Sequence, residues 1–161
     1  MNSNFRLQRG ISLVEVVVGV AILLLAVTGV MTTYNIFIRV GISTLNSIQS
    51  SYLLEEGIEA VSVVRDYGWG TNIAGLTIGT KYYLSWVGGK WTTTTTASKI
   101  DNFYTRYVVL SSVYRDVNDN IASSGTLDSG TRKVISYVSW QSGATTTTKT
   151  LTTYLTNLFN N

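Results

Sequence analysis

A chain of 161 residues with 45% hydrophobic content has room for one ordinary domain. It contains no cysteine and no histidine, which removes disulfides, thiol nucleophiles, zinc–thiolate sites and the commonest general base. Charged residues make up only 13%, and Arg6 and Arg9 supply two of the positive charges behind the net +3, so a pI of about 9.2 is no sign of direct nucleic-acid binding.

The first informative stretch is Arg9-Gly10-Ile11-Ser12-Leu13-Val14-Glu15 and the apolar run after it. From Ile11 to Met31 the only polar side chains are Ser12, Glu15 and Thr28. Roughly 20 residues at about 1.5 Å each cover a hydrocarbon core of about 30 Å, so this is a spanning helix. An ionisable group at the edge of a bilayer is costly, which assigns Glu15 a job and a partner. A secretory signal would be shorter and would gain nothing from a glutamate. A plain signal anchor, with Arg6 and Arg9 kept inside by their charge, accounts for the span but not for Gly10 and Glu15 together.

These residues resemble the class III signal of type IV prepilins and type II secretion pseudopilins. The close match runs from about Arg6 to Val30, with Ile11 where phenylalanine is more usual. The resemblance implies cleavage by a prepilin peptidase between Gly10 and Ile11, methylation of the Ile11 amine, and a role in assembly for Glu15, the fifth residue after the cut. It implies three regions: residues 1–10 as a cleaved basic leader carrying Arg6 and Arg9, 11–40 as a transmembrane and filament-core helix, and 41–161 as a pilin-like globular domain. The implied partners are homologous subunits, the peptidase, an inner-membrane assembly platform, and membrane lipid before assembly. The implied location is the inner membrane for the precursor and the envelope or an extracellular filament afterwards. Neither cofactor nor metal nor catalysis is implied.

The helical pattern continues to about Asp66, with no proline to break it and only Gly19, Gly29, Gly41 and Gly57 to loosen it. Major pilins often carry a proline where Thr32 stands, so the kink seen in those filaments is not expected at this position. Between Ile42 and Tyr67, Leu53, Ala60, Val64 and Tyr67 project one way, while Leu54, Ile58 and Val61 are expected nearly opposite. One face suits the chain's own sheet; the other needs neighbouring subunits or burial on both sides. Glu55, Glu56, Glu59 and Arg65 suit a solvated edge, and the helix should stop within Asp66-Tyr67-Gly68-Trp69-Gly70.

From Lys81 the period changes to two. Lys81 to Val87 and Lys90 to Thr96 form a hairpin across Gly88-Gly89, and Phe103 to Val113 is a long strand. Arg132 to Trp140 and Ala144 to Leu155 form a second hairpin across Gln141-Ser142-Gly143. Turns fill Asp116 to Asn120 and Ser123 to Gly130. The expected fold is α+β: one long N-terminal helix, transmembrane in its first half and amphipathic in its second, packed on an antiparallel sheet of four or five strands.

Three smaller features invite sharper readings. Asp116 to Asn120 alternates oxygen ligands, but Ile121 and Leu127 stand where a calcium loop needs glycine and glutamate, which favours a turn. Thr92 to Thr96 and Thr145 to Thr148 suit strands with a polar face, or glycan acceptors. Trp69, Tyr82, Tyr83, Trp86, Trp91 and Trp140 suit a sheet core, or a stacking platform. The main reading is a filament subunit; the alternative is a membrane-anchored monomeric binding module with an exported β-rich domain.

Overall fold

A computed structural model describes residues 12–159. The chain divides into two compact units, Met1–Thr44 and Leu45–Asn161, and one helix, α1 (Leu13–Asp66), runs through the boundary. The second unit is α+β, with the later part of α1 packed on a large antiparallel sheet. Its five main strands are β1 (Lys81–Val87), β2 (Lys90–Thr94), β4 (Tyr104–Arg115), β6 (Thr126–Ser142) and β7 (Thr145–Thr156), in the order β2-β1-β4-β6-β7. Two short strands, β3 (Lys99–Ile100) and β5 (Ile121–Ala122), pair with β4, giving seven strands where four or five were expected. The additions have two residues each, too few for any periodicity to reveal them.

Turn chemistry explains the hairpins. Gly88 and Gly89 both take positive φ, 59° and 79°, as a primed two-residue turn requires. Residues Thr126 to Gly130, expected as part of a turn, instead open β6; opposite them the register with β4 shifts between Ser112 and Val113, and this irregularity lets strand pairing continue. The helix stops at Asp66, and Gly68 then turns the chain with φ +145° into a five-residue π-helical turn, Gly70–Ala74. That turn places Ile73, and Trp69 just before it, in the core.

The two expected helix faces turn out to be one. Leu53, Leu54, Gly57, Ala60, Val61 and Val64 are all buried, and at about 100° per residue they fall within one arc about 120° wide. Ile58 is half-buried beside it, and Tyr67 is exposed. Between Leu53 and Val64, therefore, no second apolar face is left for a neighbour to cover.

Across the sheet, side chains alternate. Tyr104, Arg106, Val108 and Leu110 of β4, and Val134, Ser136, Val138 and Trp140 of β6, are buried. The helix-side core falls into two apolar clusters: Leu53, Leu54, Tyr104, Val138 and Trp140 in one, and Ala60, Val61, Val64, Val108, Leu110 and Val134 with others in the second. Between them in all three elements sits a polar layer of Gly57, Arg106 and Ser136. Arg106 is nearly fully buried, its Nη1 2.9 Å from Glu56 Oε2 and its guanidinium 5.5 Å from the centre of the Trp91 ring. Glu56 thus pairs with the sheet and is not simply part of a solvated edge, while Arg65 pairs with Asp66 at 2.8 Å. The Glu56 contact is an ion pair of poor hydrogen-bond angle: Arg106 Nε and Nη1 and Ser136 Oγ have no hydrogen-bond partner among the described residues.

At the free edge, Lys149 of β7 lies on the helix side and donates to the Ser47 carbonyl at 2.9 Å and to Ser51 Oγ at 3.2 Å. A Cβ at position 57 would meet Ser136 Oγ at 2.6 Å and Arg106 Cδ at 3.3 Å, so glycine sets how closely helix and sheet approach. Gly57→Val should destabilise this unit by about 2 kcal/mol or more. Gly41→Ala, where a Cβ meets nothing within 4 Å, should not. Thermal melting of the full chain in detergent micelles, followed by circular dichroism, compares the two.

Candidate functional site: an apolar helix segment with one carboxylate

In the first unit, helix formation follows from composition: valine, leucine, isoleucine and alanine with no proline. From Val16 to Ile38 no side chain is charged; Glu15 lies just before this stretch and Arg39 just after it. At about 1.5 Å per residue the interval is about 35 Å, slightly more than a hydrocarbon core. Its most apolar window has a mean hydropathy of 2.7 and none of it is buried, so one helix here is long and apolar enough to cross a membrane. Exposure is all-round: Val16, Val17, Val18, Ile22, Leu23 and Leu24 together surround the axis, and every one is exposed. A helix apolar on every side is stable only in lipid or among other helices.

The threonines and the asparagine of this stretch are satisfied internally, whereas the Tyr34 hydroxyl has no hydrogen bond among the described residues. Thr28, Thr32, Thr33 and Asn35 donate to the carbonyls of Leu25, Thr28, Gly29 and Met31 at 2.8–3.0 Å. Such bonds remove most of the cost of hydroxyl and amide groups in lipid. Glu15 is different. It sits in the first turn of α1, exposed, with no hydrogen bond or ion pair among the described residues. The helix dipole favours a carboxylate there, but in an apolar setting the charged form is costly unless a cation pairs with it. Gly10, Ile11, Arg6 and Arg9, the other residues singled out for processing and orientation, lie outside the described residues. Gly29 leaves an open notch, since a Cβ there would meet nothing within 4 Å; Leu25, Val30, Thr33 and Phe37 help to line the hollow around it. Small residues of this kind let helix backbones approach closely.

In the second unit the aromatic candidates are dispersed. Trp69, Tyr82 and Trp140 are buried in the core, and Trp91 packs on its edge. Trp86 and Trp91 meet edge to face at 5.4 Å. Tyr83 sits on the other side of the sheet, 5.9 Å from Tyr107, a residue that sequence reasoning did not single out. Arg106 was also missed, although strand alternation from Tyr104 to Leu110 places it on the buried face. The threonine runs are strands: Thr92 to Thr94 in β2, and Thr145 to Thr148 at the start of β7.

Asp116 to Asn120 closes a turn. Asp116 Oδ1 accepts the backbone N–H groups of Asn118 and Asn120, both at 2.9 Å, and Asp119 takes φ +64°. The Asn120 N–H, ahead of the Asn118 N–H, holds the Asp116 carboxyl below its ordinary value. Arg115 Nε donates to Asp128 Oδ2 at 2.7 Å, and this bond is the main cause holding the Asp128 carboxyl below its ordinary range. Set against models of protein families, characterised proteins and solved structures, the chain matches none.

The two aspartates carry an acid limb of stability. Their folded-state values lie below the unfolded ones, so the contribution is complete above about pH 4 and is lost as pH falls through the folded values. Asp128→Asn should cost about 1 kcal/mol at neutral pH and make the decline below about pH 4 shallower. Melting temperatures recorded between pH 7 and pH 2 check both effects.

Proposed function

We propose that the chain is a structural subunit of a type IV pilus or related pseudopilus, cut after Gly10, anchored in the inner membrane and then assembled through its N-terminal helix. The observation that carries this reading is a helix apolar on every side whose membrane-length stretch is preceded by one carboxylate without a partner among the described residues, Glu15, five residues after a glycine. The α+β unit that follows agrees with the pilin-like layout that the leader implies.

The mechanism follows from electrostatics. In the precursor Arg6 and Arg9 hold the leader at the cytoplasmic face. Cleavage frees an amine on Ile11, and that positive charge is what Glu15 lacks. Glu15 of one subunit reaches the terminal amine of the next, so two costly charges neutralise each other in an apolar interior. Around the pair, lipid contacts are exchanged for helix–helix contacts, with Gly29 permitting close approach. The pair contributes register more than net stability. Repeated head-to-tail contact of one kind grows an open filament, not a closed ring.

Two measurements test the reading. The intact mass of the purified protein should lack residues 1–10 and carry one methyl group, whereas Gly10→Val should leave full-length precursor. Normal processing of Gly10→Val would sink the proposal. Glu15→Leu should insert and be cleaved yet enter filaments at least several-fold less, as quantified by immunoblotting of sheared filaments. An uncut chain whose membrane retention is unaffected by Glu15→Leu would support the anchored monomeric binding module.

A further inference from the structure

The sheet face turned away from α1 carries an ordered set of side chains that the assembly reading does not use. Alternation places Lys81 and Tyr83 of β1, Thr105, Tyr107 and Val109 of β4, and Lys133, Ile135 and Tyr137 of β6 on this side. Register aligns Tyr107 with Tyr137, and Tyr137 with Thr150 of β7. The pairing of Lys81 with Val109 brings Tyr83 opposite Tyr107. A row of three tyrosines thus crosses three adjacent strands: Tyr83–Tyr107 at 5.9 Å, tilted by 54°, and Tyr107–Tyr137 stacked at 4.9 Å and 9°.

Charge on this face has one sign. Lys81 stands one row to one side of the tyrosines with its Nζ 4.8 Å from the Tyr107 ring centre, and Lys133 lies one row further on. Lys99, paired with Thr105, stands on the other side of the row. No Asp or Glu occupies an outward position of β1, β2, β4 as far as Ser111, β6 from Lys133 onward, or β7. The positions beyond the tyrosines on β7 are threonines: Thr148, Thr150 and Thr152. The phenol groups of Tyr83, Tyr107 and Tyr137 have no hydrogen-bond partner among the described residues, and neither do the ammonium groups of Lys99 and Lys133.

We infer that this face binds an anionic polysaccharide, a polymer rich in hydroxyls with regularly placed carboxylate or sulfate groups. Charge complementarity selects a polyanion. The arrangement of the rings selects its kind. Tyr137 and Lys81 cover the Tyr107 ring, so the middle of the row offers a hydroxyl-bearing rim and not an open face on which a base could stack. Phenol, threonine hydroxyl and ammonium together form a flat array of donors and acceptors, which suits sugar hydroxyls and their acidic substituents. Tyrosines already held by stacking lose little freedom when they bind. The inference does not depend on filament assembly, since the face belongs to a single copy of the chain.

The test uses the full chain in nanodiscs of neutral phosphatidylcholine. Fluorescein-labelled dextran sulfate is the probe, uncharged dextran the matched control, and polyphosphate and oligothymidine are the competing polyanions. Dextran sulfate should bind, weaken with added salt, and exceed every other polymer in affinity. Lys81→Gln, Lys99→Gln and Lys133→Gln combined should weaken it about tenfold or more with an unchanged melting temperature. Tyr107→Phe with Tyr137→Phe, which keeps the stack and removes two hydroxyls, should weaken it by about threefold. Equal binding of uncharged dextran, or no loss in the triple lysine variant, would overturn the inference. Binding of oligothymidine or polyphosphate as tight as that of dextran sulfate would overturn it as well, replacing it by base stacking or by charge alone.

Discussion

One continuous helix carries two different arrangements of apolar side chains, one long and apolar enough to cross a membrane and one shaped for a sheet, and much of the chain's organisation follows from that contrast. Up to Thr44 its apolar side chains are exposed on every side; from Ser50 they concentrate into a single buried stripe. No break in the backbone marks the change. What changes is the arrangement of side chains around the axis, from an all-round coat that demands lipid or other helices to an arc that one sheet can cover. The threonines of the apolar part return their hydroxyls to the backbone, and at its start stands Glu15, a carboxylate without a partner among the described residues. The proposed pairing with a neighbour's amine meets the cost of that charge and explains why a carboxylate can persist there.

In the second part, contact with the sheet is organised by its least apolar layer. Gly57, Arg106 and Ser136 meet between helix, β4 and β6, where a Cβ at position 57 would not fit, and the core forms two apolar clusters. A buried guanidinium held by one ion pair and one aromatic ring adds little net stability. Its contribution is to specificity: sliding the helix by one turn would move Glu56 away from Arg106 and bring a Cβ against the sheet where only glycine fits. The tyrosine-lined side of the same sheet has no buried charge of this kind among the described residues.

Much of this could be read from residues alone, and the failures have physical causes. The hairpin at Gly88-Gly89 and the strands at Lys81, Tyr104 and Arg132 follow from period-two patterning and turn chemistry, which act locally. The extra strands have two residues each, and pairing defines them, not pattern. The supposed second helix face arose from treating Leu53 and Leu54 as opposite, although adjacent residues differ by only about 100° and both fit within one stripe. Arg106 could have been found, since it sits two residues from Tyr104 and Val108 on one face of a strand. The tyrosine row could not: Tyr83, Tyr107 and Tyr137 are far apart in sequence, and only the register of three strands aligns them. Glu15 stood out from the start, because an isolated charge beside an apolar run is visible without any fold.

The placement of Lys149 bears on how the protein survives crowding. β7 is a twelve-residue edge strand of mostly threonine and leucine without proline, a ready template for another chain's backbone. Its central lysine points to the helix side and reaches round to the Ser47 carbonyl, so a strand docking on that edge would strip the ammonium of both water and partner. One lysine of this kind is a device by which natural sheets keep a long edge from pairing with another chain. In the proposed role, where copies share a membrane before they assemble, this steric and electrostatic guard would separate a stored pool of subunits from an irreversible aggregate.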